Sequence, residues 1–116
     1  MRHKKGNTKL GLPTDQRLAL LRNGVLSLIQ VNKITTTHTR AKAIARLAEK
    51  LITMSKHDTV QARRNVYKYI PNRTIIKQIF TDLAVKYKEV SGGYTRITRI
   101  GIRKGDAAPI SLLELL

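Results

Sequence analysis

The chain has 116 residues, with 23 Lys and Arg against seven acids, a formal net charge of +16 and no cysteine. That length holds one domain with one modest core, and the missing thiols exclude a disulfide framework and thiolate metal sites. No apolar run approaches the ~18 residues of a membrane span, and the polar start, Met1-Arg2-His3-Lys4-Lys5-Gly6-Asn7, is not a secretory signal.

The charge is the informative quantity. A large net charge repels itself and works against a compact state. A partner of dense negative charge removes that repulsion. Nucleic acid is the first candidate and an anionic membrane surface the second. Basic residues run from Arg2 to Lys104, so the folded body itself is expected to be the binding surface.

Residues 1–12 hold Arg2, Lys4, Lys5 and Lys9, with His3 and no acid. Gly6 and Gly11 break any helix there, and apolar residues are few. This reads as a flexible basic arm that orders against phosphates, followed by one domain over residues 13–116.

Pro13-Thr14-Asp15 predicts a helix start with Thr14 or Asp15 as the cap, running to about Gln30. Leu18, Leu21, Val25, Leu28 and Ile29 form its apolar stripe. Gly24 costs about 1 kcal/mol against Ala inside a helix, which a close approach would explain. Lys33–Thr36 then reads as a short strand after a turn at Asn32.

Thr36 or Thr37 is expected to cap a second helix ending near Lys56. Its core stripe is Ile44, Leu47, Leu51 and Met54, widened by Ala48 and Ile52. Arg40, Lys42, Arg46 and Lys50 take the remaining surface, with Glu49 as the one acid. A solvated helix face usually balances its charges; this imbalance favours a phosphate-facing role.

Asp58 is expected to cap a third helix to about Tyr69, with Arg63-Arg64 near its middle. Pro71 ends it, since the residue before proline avoids the helical region. Asn72 caps a fourth helix to about Tyr87, with Ile75, Ile76, Ile79, Phe80 and Leu83 as its stripe. From Gly92 onward the chain reads as a β-hairpin reversed near Gly105-Asp106. Its alternation breaks between Ile97 and Ile100. Either a bulge shifts the register or both faces are partly covered, which leaves open whether Arg96 or Arg99 meets a partner.

Reactive groups do not converge. The acids Asp15, Glu49, Asp58, Asp82, Glu89, Asp106 and Glu114 are scattered, and His3, His38 and His57 lie in separate segments without ligand spacing. No phosphate-binding Gly-x-x-x-x-Gly-Lys loop occurs. The reading is therefore of no enzyme, no cofactor, no metal and no small-molecule substrate. A DNA reader concentrates its contacts on one recognition helix, whereas charge spread over every segment suits folded RNA. A DNA-binding or nucleoid module, a membrane-surface protein and a small nuclease stand as rivals.

Several runs stand in order along the chain: Met1-Arg2-His3-Lys4-Lys5, Lys9-Leu10-Gly11, Ala19-Leu20-Leu21-Arg22-Asn23, Ile34-Thr35-Thr36-Thr37, Glu49-Lys50-Leu51-Ile52-Thr53, Gly92-Gly93-Tyr94-Thr95-Arg96-Ile97 and Gly105-Asp106-Ala107-Ala108-Pro109. Together they closely resemble the L-seventeen family of bacterial-type large-subunit ribosomal proteins, over essentially the whole chain. The resemblance implies an α+β, two-layer domain of about four helices on a small three-stranded sheet that includes the C-terminal hairpin. It also implies a structural constituent of the large subunit, binding large-subunit ribosomal RNA beside neighbouring ribosomal proteins near the polypeptide exit. The setting would be the cytoplasm or an organelle, with no membrane partner.

On that reading Arg2, His3, Lys4, Lys5 and Lys9 thread between RNA segments. Arg17, Arg22, Arg40, Lys42, Arg63 and Arg64 hold helix faces to the backbone. Tyr94, Arg96, Arg99, Arg103 and Lys104 form the hairpin's contact, with Tyr94 either stacked on a base or half-buried in the core.

Overall fold

A computed structural model describes residues 10–116, so the expected contacts Arg2, His3, Lys4, Lys5 and Lys9 lie outside the described residues. Helix α1 (Thr14–Val31) leads through strand β1 (Lys33–Thr37) into α2 (His38–Ser55) and α3 (Val60–Tyr69). Helix α4 occupies residues 73–86, and β2 (Thr95–Ile102) and β3 (Pro109–Leu115) form the hairpin. The strands make one antiparallel sheet in the order β1-β3-β2. Four helices and this sheet give the expected two-layer α+β fold.

Local chemistry sets the helix ends, not always at the expected residue. Pro13, not Thr14 or Asp15, is the N-cap of α1, and no side chain caps it. Proline's fixed φ suits a helix start, which places Asp15 inside the first turn where the helix dipole favours an anion. Asn32 closes α1 in the left-handed region at φ +71, its amide bonded to the Leu28 carbonyl. Thr37 is the N-cap of α2, without a side-chain bond. Helix α3 is capped by Thr59, whose hydroxyl accepts from the Ala62 amide. Asp58 was the expected cap, but Arg63 holds its carboxylate in a two-pronged pair at 2.7 and 3.1 Å. Asn72 caps α4 as expected, accepting from the Thr74 and Ile75 amides. Mid-helix, Ile79–Leu83 form a π turn. The Thr81 hydroxyl there donates to the Lys77 carbonyl at 2.7 Å, the acceptor that its own amide would use in an α-helix.

The core is aliphatic and centred on α2. Ala41, Ile44, Ala45, Ala48, Leu51 and Ile52 are buried there, against Val25, Leu28 and Ile29 of α1, Val66 of α3 and the α4 stripe Ile75, Ile76, Ile79, Phe80 and Leu83. Leu21, Leu47 and Met54 pack at its margin. Leu18 departs from the expected stripe and stays 41% exposed, one turn beyond the core's end. Gly24 sits at a close approach. A Cβ on it would lie 2.4 Å from Cδ1 of Ile44, so the two helices meet nearer than a methyl allows.

The sheet's inner face carries Ile34, Ser111, Leu113, Leu115 and Ile97. Its outer face aligns Lys33, Glu114 and Arg96 in one row and Thr35, Leu112 and Thr98 in the next. The broken alternation is a bulge: Arg99 pairs with Ser111 and Gly101 with Ile110, leaving Ile100 as the extra residue. Register places Arg96 on the outer face and Arg99 on the helix side. The hairpin turns through Gly105 at φ +102, and the Asp106 carboxylate accepts from the Ala108 amide at 3.2 Å.

Two side chains join the layers where α2 begins. His38 Nδ1 shares a 2.8 Å hydrogen bond with the buried Ser111 hydroxyl on β3. Desolvation, then the positive charges of Arg99 and Lys42, hold the His38 pKa below its ordinary value. In the unfolded chain His38 takes a proton near pH 6.5, before it does in the fold. The unfolded state therefore binds more protons below that pH, and stability falls as pH falls. We expect the urea midpoint to drop between pH 7.5 and 5.5, and His38→Gln to flatten that drop. An unchanged slope in the variant would place the titration elsewhere.

The Gly24 contact gives a second test. Gly24→Ala gains about 1 kcal/mol of helix propensity, but overpacking a filled core costs about 1–3 kcal/mol. A net loss is expected in urea unfolding. Ile44→Val removes the nearest methyl, so the double variant should lose less than the two single losses combined; strict additivity would show that the helices do not meet at this point.

Candidate nucleic-acid interface

Nineteen of the 23 Lys and Arg lie in the described residues, together with all seven acids. Among the described residues three ion pairs form: Arg63 with Asp58, Arg96 with Glu114 and Arg103 with Asp106. One further carboxylate, that of Glu49, accepts from the Thr95 hydroxyl at 3.1 Å. Most of the described cations therefore have no carboxylate beside them.

The largest such group follows α2. Lys42, Arg46 and Lys50 stand at i, i+4 and i+8, which is one ridge of a helix, and all three are exposed. The core residues of α2 occupy the opposite side. Arg40 is exposed near the start of the helix. Arg99 extends the ridge from β2, since it and Lys42 both act on His38. At the other end Lys50 donates to the Tyr69 hydroxyl at 3.1 Å, with its ammonium 5.2 Å from the ring centre. Arg22 from α1 approaches the same ring at 6.0 Å, and its Nε is buried without a partner among the described residues. Three elements thus contribute to one cationic strip, and Tyr69 orders its far end through cation–π contact.

A second group lines a groove of about 490 Å³ between α3 and α4, formed by Val60, Arg63, Arg64, Tyr67, Arg73 and Ile76. Arg63 is the fixed member. Asp58 holds it from one side, and its guanidinium lies 4.8 Å from the centre of the Phe80 ring. That pairing lowers the Asp58 pKa and raises that of Arg63. Arg64 and Arg73 are exposed and belong to no ion pair among the described residues.

The hairpin is divided in use. Arg96 answers Glu114 across the strands at 3.6 Å on the outer face. Arg103 is engaged at the tip, where it holds the Asp106 carboxyl down to about 2 with help from the Ala108 amide. Lys104 is exposed beside it. Arg17 is half-exposed on the first turns of α1, apart from the strip.

Tyr94 requires correction as a surface contact. It is 1% exposed. Its hydroxyl meets Thr53 at 3.2 Å and its ring lies 5.1 Å from that of Tyr87. Lys56 stands 5.0 Å over the same ring and, beside the Thr53 hydroxyl, lowers the tyrosyl pKa. Tyr94 therefore seats the hairpin on α2 and is closed to a base. The aromatic ring on the surface is Tyr67, 47% exposed, which the sequence reading passed over together with Arg73. Val60, Arg63-Arg64 and Tyr67 follow i, i+3, i+4 and i+7, so the spacing that signals a core stripe was the available clue.

Among the described residues no three His, Asp or Glu gather as a metal site would require, and no helix is long and apolar enough to cross a membrane.

Comparison with known proteins gives the strip and groove a family. Residues 20–116 match the family described as Ribosomal protein L17. The large ribosomal subunit protein bL17 of Dictyoglomus thermophilum is 48% identical over 116 residues, covering the whole of both chains. That of Clostridium tetani is 50% identical over 111 residues, 96% of this chain and 98% of its own. That of Clostridium beijerinckii is 51% identical over 111 residues, again 96% of this chain and 98% of its own. The chain belongs to the ribosomal protein L17 family.

Proposed function

We propose that this protein is a structural constituent of the large ribosomal subunit and that it works by holding crowded segments of large-subunit ribosomal RNA in one arrangement. The observation that carries the reading is the unanswered ridge Lys42, Arg46 and Lys50. Like charges at i,i+4 cost an isolated helix about 0.2–0.5 kcal/mol per pair. RNA phosphates turn that cost into attraction. Arg99 and Arg22 extend the strip to either side, Arg40 is exposed on another side of α2, and Arg64 and Arg73 open a second front. A body touched on two faces suits RNA packed around it more than a duplex docked on one.

Within this reading Lys42, Arg46 and Lys50 are phosphate contacts, and Arg22, ordered by Tyr69, is suited to bidentate pairing. Residues 1–12 supply a basic arm (Arg2, His3, Lys4, Lys5, Lys9) between RNA segments. A seat near the polypeptide exit, among neighbouring ribosomal proteins, belongs to the same proposal and rests on the family resemblance. The work is architectural and needs no cofactor.

Counterion release sets the expected salt response. With about 6–10 phosphate contacts, affinity for isolated large-subunit RNA should fall about 10³–10⁵-fold between 50 and 200 mM salt. Duplex DNA should compete poorly at equal salt. A flat response, or equal competition by DNA, would overturn the reading.

The ridge is tested separately by Lys42→Gln with Arg46→Gln. Each neutralised contact should lower the salt slope by about 1, while removing both like-charge pairs raises stability by about 0.4–1 kcal/mol. Undiminished RNA affinity alongside a loss of stability would make these residues structural.

A further inference from the structure

The groove between α3 and α4 has a composition that phosphate neutralisation alone does not need. Its walls combine three guanidiniums with an exposed aromatic ring and two aliphatic side chains, Val60 and Ile76. Val60 is 66% and Tyr67 47% exposed. Open apolar surface between arginines costs free energy in water, and a backbone-tracking face would do without it. The volume, about 490 Å³, falls within the ~300–1,000 Å³ of ordinary ligand clefts.

We propose that this groove receives a single unstacked nucleotide of RNA. Its base lies on the Tyr67 ring against Val60 and Ile76, and its flanking phosphates meet Arg64 and Arg73. Charge complementarity selects the occupant. Asp58 neutralises Arg63, which leaves Arg64 and Arg73 to face an anion. The flat ring selects the kind of anion, because bases splayed out of a helix are read by stacking on aromatic side chains. In a paired helix the bases are stacked on each other and offer no face to Tyr67. Arg63 plays a different part: held by Asp58 and pressed on Phe80, it is the rigid wall that keeps the groove open. The proposal rests on the RNA-binding reading and adds the nucleotide conformation that this face accepts.

The test uses the full chain and two RNA hairpins, identical except that one carries a single bulged 2-aminopurine. The bulged hairpin should bind more tightly, and its fluorescence should be quenched on binding. Stacking on one aromatic ring supports a preference of about 5–150-fold. Tyr67→Ala should abolish both the preference and the quenching, whereas Tyr67→Phe should retain them. Arg64→Gln with Arg73→Gln should weaken binding and lower the salt slope by about 2. If Tyr67→Ala keeps the wild-type preference, or the wild type binds both hairpins equally, the groove proposal fails while the RNA reading stands. If the wild type binds neither hairpin nor isolated large-subunit RNA, the underlying reading fails.

Discussion

The structure depends on the two-sidedness of α2. One side is a dense seam of small and branched residues, Ala41, Ile44, Ala45, Ala48, Leu51 and Ile52, each buried. The alanines let neighbours come close, and Gly24 of α1 takes the closest position against Ile44. The other side holds Lys42, Arg46 and Lys50, none of them in an ion pair among the described residues, while Glu49, the one acid of the helix, accepts from Thr95. Magnitudes decide which side wins. Two like-charge pairs oppose the helix by under about 1 kcal/mol, while burying a single Leu or Ile contributes about 1.5–3 kcal/mol. The apolar seam therefore carries the uncompensated ridge.

The same logic explains which cations were given partners. Arg63, Arg96 and Arg103 have carboxylates, and each sits where geometry must be fixed: a groove wall, a strand pair and a hairpin tip. Exposed pairs of this kind contribute little to stability, so their effect is to orient side chains. Tyr69 and Tyr94 do related work with Lys50 and Lys56. Acids are scarce in this chain, and Asp58, Glu114 and Asp106 position arginines while Glu49 accepts from Thr95.

Much of the fold could be read from residue spacing, because helix stripes at three and four residues survive any tertiary context. The α4 stripe is buried as expected, and Asn72 and Asn32 close their turns as their side chains favour. Where the reading failed, two local chemistries competed for one residue. Asp58 and Thr59 are both good caps, and the contest was settled by Arg63, one helical turn later, taking the aspartate. The π turn over Ile79–Leu83 has no distinguishing pattern in the sequence. The hairpin's core face could not be assigned because Ile100 is an extra residue, and an alternation rule counts it as paired. Tyr94 was left between surface and core, and Tyr67 was passed over, for a related reason. Both are aromatic among basic residues, and only the packing of the hairpin on α2 separates the buried ring from the open one.

Repulsion and folding are linked in a way that constrains assembly. A chain of net charge +16 with a polar core would stay expanded until a polyanion arrived. This core is aliphatic and continuous from Val25 to Leu113, so the described domain can fold before it meets RNA. A partner that binds the arranged cations and not the loose chain would stabilise the folded state further by mass action. Cations already held in place lower the cost of binding: Tyr69 packs against Lys50 and Arg22, and Asp58 holds Arg63.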